Sequence, residues 1–173
     1  AYLILGASLG SDSTIELSSA DYSFVGENGG DYACSSVSSA GDVDGDGLAD
    51  LLVGAWRNDG GSSFGKAYLI LGASLGDSSS IDLSEADYSF VGEESDARAG
   101  HSVSSAGDVD GDGLADLIVG APAHNGGAIN TGKAYLILGA SLGSISTIDL
   151  SSADYSFVGE GAEDYAGVSV SSA

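Results

Sequence analysis

Residues 41–55 read GDVDGDGLADLLVGA, and residues 107–121 repeat this stretch almost unchanged as GDVDGDGLADLIVGA. Counted from the first Asp of each copy, acidic residues occupy positions one, three, five and nine, and Gly occupies position six. Ca²⁺ takes roughly six to eight oxygen ligands, and a Gly at position six lets a loop turn sharply enough for both halves to face the ion. The stretch therefore predicts a calcium loop, and the chain carries two copies of it.

Each predicted loop offers four carboxylates and, at position seven, a backbone carbonyl. We expect the first Ca²⁺ to be bound by Asp42, Asp44, Asp46, the carbonyl of Leu48, and Asp50. We expect the second Ca²⁺ to be bound by Asp108, Asp110, Asp112, the carbonyl of Leu114, and Asp116. All of these groups are hard oxygen donors, the kind that Ca²⁺ prefers.

Two other interpretations of the stretch compete with calcium binding by a strand-loop-strand site. An EF-hand loop begins in the same way but ends in a bidentate Glu at position twelve between two helices. Here position twelve is Val53 or Val119, within an apolar run that predicts a buried strand. The other alternative is a solvated turn without a metal, since Asp and Gly are common in turns. Four crowded carboxylates would then repel one another without compensation, and their identical spacing in both copies favours calcium.

The composition is that of a globular, strongly acidic protein. Of the 173 residues, 43% are hydrophobic, and they cluster in short runs between segments rich in Gly and Ser, which argues against a disordered chain. The formal net charge is -22 with only four Lys and Arg residues. Such a surface repels phosphate backbones and anionic lipids, so we expect neither nucleic acid nor an anionic membrane as a partner.

Cysteine usage and apolar runs give limited information on location. Cys34 is the only cysteine, so no disulfide can form within the chain. No apolar stretch approaches 18 residues, which predicts no membrane insertion, and the first residues lack the basic flank and cleavage site of a signal peptide. Calcium loops of modest charge suit the high Ca²⁺ concentration outside cells, so we expect a secreted or cell-surface protein.

Three short sequences recur in the same phase along the whole chain. AYLILGASLG begins at residues 1, 67 and 134, ADYSFVGE begins at residues 20, 86 and 153, and SVSSA ends at residues 40, 106 and 173. The repeat period is therefore 66 and then 67 residues, and the extra residue falls in a segment rich in Gly and Asn between residues 121 and 133. Internal repetition at this length indicates a modular architecture of stacked units.

Each unit contains four strand-like runs, which in one unit are residues 33–40, 51–55, 67–71 and 88–91. No segment shows a sustained helical period, although residues 81–86 could form a single helical turn. Four short antiparallel strands per unit, repeated at this spacing, predict an all-β protein built of four-stranded antiparallel blades, that is, a β-propeller before a β-sandwich.

Residues 99–122, AGHSVSSAGDVDGDGLADLIVGAP, resemble the FG-GAP repeat of the integrin alpha-chain head and of many bacterial surface proteins. The resemblance extends over essentially the whole chain. It implies a β-propeller, usually of seven blades, with Ca²⁺ in the loop that joins the first two strands of a blade. It also implies the same metal ligands as the spacing of the acids does, and a non-catalytic role in adhesion or ligand recognition.

The sequence departs from the family pattern at several positions. The Phe-Gly pair of the family is Ala99-Gly100 and Ala166-Gly167 here, and Ala33-Cys34 in the first unit. Cys34 thus fills a Gly position, which favours a small packed residue over a reactive thiol. Two aromatic residues, Tyr32 and Trp56, have two interpretations: they line a ligand surface, or they cap the apolar ends of blades.

The repeat phase predicts a partial propeller over residues 1–173. We expect a half blade at 1–31, complete blades at 32–92 and 98–159, and the first strand of a further blade at 165–173, about 2.6 repeats in all. Eleven strands cannot close a ring of four-stranded blades, and an open stack exposes apolar faces and unpaired edges. We therefore expect either a fragment of a longer, seven-bladed chain, which we favour, or association of copies that completes the ring.

Residues that could support catalysis form no recognisable centre in the sequence. Gly60-x4-Gly65-Lys66 and Gly127-x4-Gly132-Lys133 match the opening of a phosphate-binding loop, but a strand-like YLIL run follows each where a helix is required. The two histidines, His101 and His124, are not repeated in the other units. We therefore expect a non-enzyme that binds an extracellular protein or glycan; the alternative is the propeller domain of a calcium-dependent extracellular enzyme acting on polysaccharides or phospholipids.

Overall fold

A computed structural model describes residues 1–10, 13–58, 63–76 and 78–172 of the chain. Within these residues the regular structure consists of β-strands and single 3-10 turns. The strands are β1 (Tyr2–Leu3), β2 (Tyr22–Val25), β3 (Ala33–Gly41), β4 (Asp50–Ala55), β5 (Lys66–Ile70), β6 (Ser80–Asp82), β7 (Tyr88–Val91), β8 (Ser102–Gly107), β9 (Asp116–Ala121), β10 (Lys133–Ile137), β11 (Thr147–Asp149) and β12 (Tyr155–Val158). The 3-10 turns are Gly6–Ser8, Leu17–Ser19, Gly72–Ser74, Leu83–Glu85, Gly139–Ser141 and Leu150–Ser152. The prediction of an all-β protein is confirmed.

Two four-stranded antiparallel units form the centre of the structure. Strands β3, β4, β5 and β7 pair in that order in the first unit, and β8, β9, β10 and β12 pair in that order in the second. The strands that were predicted from the apolar runs lie within one residue of the observed bounds. In the central strands β4, β5, β9 and β10 almost every residue is buried, and a short continuous apolar run is typical of a strand that is covered on both faces.

A fifth strand, β11, pairs with the edge strand β7 of the first unit, and the sequence did not predict it. β11 pairs in parallel with β7, and β6 pairs in the same way with β2, so a three-residue strand of one repeat extends the sheet of the repeat before it. A helical turn was predicted at residues 81–86. The first two of these residues belong to β6, and the 3-10 turn Leu83–Glu85 follows them. Asp82 caps that turn because its side chain accepts the N–H of Ser84 at 2.9 Å.

Residues 165–172, which the repeat phase places in the first strand of a further blade, form no strand. Ala166 makes only an isolated parallel bridge to Gly132. A first strand is held by its second strand, as β3 is by β4, and no such partner for this segment lies among the described residues. The division into blades at 1–31, 32–92 and 98–159 remains a prediction.

The main hydrophobic core lies at the seam between the two four-stranded units. Leu52, Leu69 and Phe90 from the first unit and Leu117 and Tyr135 from the second are fully buried there. The backbones also approach closely, because a Cβ added at Gly54 would overlap the carbonyl oxygen of Gly100. The absence of a side chain at this position lets the two sheets pack face to face.

The described part of the chain contains no helix that is both long and apolar enough to cross a membrane.

Candidate metal centres

Both predicted calcium loops connect the first two strands of a four-stranded unit. The first loop joins β3 to β4, and the second joins β8 to β9. Asp50 and Asp116, the last acids of the two loops, are also the first residues of β4 and β9 and are completely buried. A buried carboxylate needs hydrogen-bond donors or a cation to offset its lost hydration.

Asp50 and Asp116 accept the same two types of backbone hydrogen bond. Asp50 accepts the N–H of Val43 at 2.8 Å and that of Gly72 at 2.7 Å, so it links its own loop to the turn after β5. Asp116 repeats the arrangement with Val109 at 2.7 Å and with Gly139 at 2.9 Å. Two backbone hydrogen bonds thus hold each carboxylate at the base of its loop.

The first acid of each loop organises the turn above it. Asp42 accepts the N–H of Gly45 at 2.8 Å and that of Gly47 at 2.9 Å. Both glycines have positive φ values, 79° and 87°, which side chains disfavour. Position six of the loop is therefore Gly for the reason that the sequence suggested, since it lets the chain fold back over the first carboxylate.

Three carboxylates of each loop come together around one point. Ligand oxygens of Asp42, Asp44 and Asp50 all lie within 4.8 Å of one another, and those of Asp108, Asp110 and Asp116 form the same group in the second loop. Six of the eight predicted carboxylate ligands are thus gathered into two groups. Three acidic oxygens in one small space suit a hard divalent cation such as Ca²⁺.

The remaining predicted ligands are in the loops but outside these groups. The carboxylate of Asp46 accepts the N–H of Leu48 at 2.7 Å, and the carboxylate of Asp112 accepts the N–H of Leu114 at 2.8 Å. Each of these acids closes a local Asx-type turn. Coordination by Asp46 and Asp112 and by the carbonyls of Leu48 and Leu114 remains a prediction from the spacing.

The electrostatics of the loops oppose full ionisation without a cation. Burial raises the pKa of Asp50, and the charges of Asp44 and Asp46 raise it further, although the two backbone hydrogen bonds act in the opposite direction. The pKa of Asp110 is also raised, first by desolvation and then by the charge of Asp112 and its neighbours. A bound divalent cation would remove this repulsion, so the donor set fits Ca²⁺ on its charge as well as on its chemistry.

No basic side chain neutralises the loops among the described residues. Lys66 pairs with Glu27 at 3.0 Å, and Lys133 pairs with Glu93 at 2.7 Å. The two arginines, Arg57 and Arg98, lie over aromatic rings. All four cationic side chains of the chain are therefore engaged elsewhere, which leaves the acidic groups to an external cation.

Two polar networks lie at the ends of the strands opposite the acidic loops, one in each four-stranded unit. They were not predicted from the sequence. Lys66 and Asn58 both donate to Glu27, and Asn58 also donates to Asp31 at 2.9 Å. Burial by itself would raise the pKa of Glu27, but the hydrogen bonds from Lys66 and Asn58 outweigh it and lower the pKa. The signal was available, because Glu27 and Lys66 recur as Glu93 and Lys133 at the repeat period.

The two histidines lie in different environments. The Nε2 atom of His124 contacts the carboxylate of Glu93, where His124 takes the place that Asn58 has in the first network. The ring of His101 lies 6.3 Å from that of Trp56, and its Nδ1 atom is buried without a hydrogen-bond partner in the described part of the chain.

The segments that resembled a phosphate-binding loop do not lead into helices. Lys66 and Lys133 are the first residues of strands β5 and β10, and Gly60 lies outside the described residues.

Comparison with known proteins gives a matching family model and similar curated proteins. The family model described as FG-GAP repeat matches residues 35–70 and 99–137, which include both acidic loops. Integrin alpha-PS2 of Drosophila melanogaster is 32% identical over 128 residues, covering 70% of this chain and 9% of that protein. Integrin alpha-PS5 of the same organism is 38% identical over 108 residues, covering 61% of this chain and 10% of that protein. The chain spans about a tenth of the length of these curated relatives.

Each family match begins in or just before the first strand of a four-stranded unit, continues through its acidic loop, and ends in or at the end of the third strand. The matches follow the repeat period, the loop spacing and the strand order described above. The chain is therefore a member of the FG-GAP repeat family.

Proposed function

We propose that this chain is a calcium-stabilised β-propeller module that acts in adhesion or ligand recognition outside the cell and catalyses no reaction. The observation that carries the proposal is the pair of three-carboxylate groups, Asp42, Asp44 and Asp50 with their counterparts in the second loop. The relatives named integrin alpha chains support a role in recognition at the cell surface.

The proposed work of calcium is structural. Asp42 follows β3 directly, and Asp50 begins β4 and also holds the backbone of Gly72 after β5. A cation shared by Asp42, Asp44 and Asp50 would connect the ends of three strands through one point. The opposite ends of these strands, with Trp56 and Arg57 directly after β4, are then left free to present side chains to a partner.

The proposal is tested by titrating the protein with Ca²⁺ in an isothermal calorimeter. We expect two Ca²⁺ ions to bind per chain, and we expect the double variant Asp44→Asn and Asp110→Asn to bind weakly or not at all, because each loop then loses one of its three grouped charges. Glu85→Gln, an exposed acid outside the loops, is the matched control and should leave the stoichiometry unchanged. No heat of binding, or a preference for Mg²⁺, would refute the calcium sites.

We further propose that another blade covers the outer face of β12, from the same polypeptide or from a second copy. Phe157 in β12 is 55% exposed, whereas Phe90, its equivalent in β7, is completely buried. The outer edge of β7 is paired with β11, and the corresponding edge of β12 has no strand beside it among the described residues. Blades beyond those described here would complete a ring, for which the family resemblance implies seven blades.

Association of the 173-residue chain follows from this proposal, because unpaired edges and apolar faces favour pairing. Light scattering should give a mass well above the 17.0 kDa of one chain. The variant Phe157→Lys should shift the mass toward that of the monomer, since it places a charge on the exposed face. A single species of monomer mass for the unaltered chain would contradict the proposal.

A further inference from the structure

Five side chains meet at the end of the units opposite the acidic loops. They are Tyr32, Trp56, Arg57, Arg98 and His101, and we call them the arginine–aromatic platform. Trp56 and Arg57 directly follow β4, whose other end begins inside the first acidic loop. Tyr32 precedes β3, and Arg98 and His101 precede β8, so both four-stranded units contribute to the platform.

The two aromatic rings at the centre of the platform are in contact; Tyr32 is exposed to solvent and Trp56 is half-buried. The ring centroids of Tyr32 and Trp56 are 5.0 Å apart, and the ring planes are tilted by 40°. Tyr32 is 54% exposed, so a large part of an aromatic residue faces solvent. Accessible aromatic side chains are enriched at recognition surfaces relative to the rest of a protein surface.

Both arginines of the chain lie over these rings. The Cζ atom of Arg57 is 5.6 Å from the ring centroid of Tyr32, and the Cζ atom of Arg98 is 5.5 Å from that of Trp56. Stacking on a ring orders a guanidinium group while leaving N–H donors at its edges for a ligand. Neither arginine forms an ion pair with an acid in the described residues, although the chain has 26 acids.

Hydrogen bonds beneath the platform hold its backbone in place. The N–H of Arg57 donates to the carbonyl of Asp31 at 3.2 Å, next to Tyr32 in the sequence. The Asp31 side chain is buried and accepts the amide of Asn58 at 2.9 Å. The N–H of His101 donates to the carbonyl of Arg98 at 3.1 Å. These bonds join the segment before β3 to the segment after β4, and they order the turn that carries Arg98. An ordered site loses less entropy when a ligand binds.

The platform is a departure from the repeat. One period after Trp56 and Arg57 the chain has Pro122 and Ala123, and the positions equivalent to His101 are Ser35 and Val168. The acidic loops, in contrast, are nearly identical in the two units. This combination of five side chains therefore occurs once among the described residues, although Tyr32 alone recurs as Tyr165.

We propose that the arginine–aromatic platform binds a sugar ring that carries a carboxylate, as a uronic acid residue of a glycan does. A guanidinium fork matches a carboxylate with two parallel hydrogen bonds. The C–H face of a sugar ring carries slight positive charge and suits the negative face of an aromatic ring. A single sugar residue would make both contacts, and because its ring is rigid it would lose little conformational freedom on binding.

The net charge of the chain narrows the ligand further. At -22 the protein repels polymers with closely spaced negative charges, so an isolated acidic sugar is favoured over a polyanion. A peptide carboxylate is less favoured than a sugar acid because a peptide must order its backbone and side chains over a site of only five residues. This inference deepens the recognition part of the proposed function and rests on it.

Trp56 is the only tryptophan of the chain, so its fluorescence reports directly on the platform. In buffer with Ca²⁺, we expect sodium glucuronate to change this fluorescence saturably, with a dissociation constant at least about tenfold lower than that of glucose at the same ionic strength. Arg57→Gln and Arg98→Gln should each weaken glucuronate binding by about tenfold or more, and Arg98→Lys should restore it only in part, because Lys lacks the fork.

Tyr165 offers a matched control for Tyr32. It stands two repeat periods further on with the same φ of 52°, but belongs to no such cluster of arginines and Trp. Tyr32→Ala should weaken binding, and Tyr165→Ala should leave it unchanged. Equal responses to glucuronate and glucose, unaltered binding by the Arg variants, or tighter binding of the peptide acetyl-Ala-Glu-Ala-amide would each overturn the inference. Calcium titration of the same samples separates this failure from failure of the calcium sites, since two Ca²⁺ ions should bind in either case.

Discussion

Removal of Ca²⁺ with excess EDTA is expected to lower the melting temperature of the protein by about 5–10 °C for each site that empties. A ligand held at a hundredfold excess over its dissociation constant stabilises the folded state by about 2.7 kcal/mol. For a chain of this size, 1 kcal/mol corresponds to about 2–4 °C. The physical cause is the repulsion within each group of three carboxylates, which a cation relieves and which EDTA restores.

The control for this experiment is the calcium-site double variant Asp44→Asn and Asp110→Asn. Each substitution removes one charge from a group of three, so the variant should be less sensitive to EDTA than the unaltered protein. Differential scanning calorimetry with EDTA, and then with Ca²⁺ restored, measures both effects. An unchanged melting temperature in EDTA would contradict a structural role for calcium.

Phe90→Ala is expected to lower the free energy of unfolding by about 3–5 kcal/mol, the usual cost of removing a fully buried Phe. Phe90 is completely buried in the core between the two four-stranded units. Its equivalent Phe157 has the same neighbours in sequence but is 55% exposed, so Phe157→Ala removes far less buried surface and should cost less than about 1 kcal/mol.

Urea unfolding of both variants, at a protein concentration low enough for the chain to be monomeric, measures this difference in the free energy of unfolding. The comparison isolates packing, because the two residues share a repeat position and a strand sequence, YSFV. Equal losses of stability would mean that Phe157 is as well packed as Phe90, which would contradict the arrangement of the units described here.

The parts of the fold that the sequence predicts well are those set by local pattern. A short apolar run such as residues 51–55 predicts a strand because the strand can bury its apolar side chains within a sheet. The same runs recur at the repeat period, so each strand is expected to pair with equivalent strands in each unit. The acidic loops are predictable for a related reason, since alternate acids and a Gly at position six place Asp42, Asp44 and Asp50 around one point within a single turn of chain.

The parts that the sequence does not predict depend on contacts between distant residues. Strands β6 and β11 are three residues long and rich in Ser, Thr and Asp, and they exist because β2 and β7 of the preceding repeat offer a free edge. Such short polar segments carry no period that could identify them.

The spacing of the acids predicts Asp46 as a fourth carboxylate ligand, and this stays a prediction. The carboxylate of Asp46 accepts the N–H of Leu48, just as the carboxylate of Asp42 accepts backbone N–H groups of the same loop. The arginine–aromatic platform was visible only as departures from the repeat, since Tyr32 and Trp56 are brought together by the pairing of β3 with β4.

The location of bound Ca²⁺ in a crystal distinguishes two calcium loops from metal-free acidic turns. Crystals grown with CaCl₂ should show two peaks of anomalous density per chain. One peak should lie about 2.3–2.6 Å from oxygens of Asp42, Asp44 and Asp50, and the other at the same distance from oxygens of Asp108, Asp110 and Asp116. Loops that hold no anomalous peak in the presence of Ca²⁺, or peaks found only at other acids, would contradict the account.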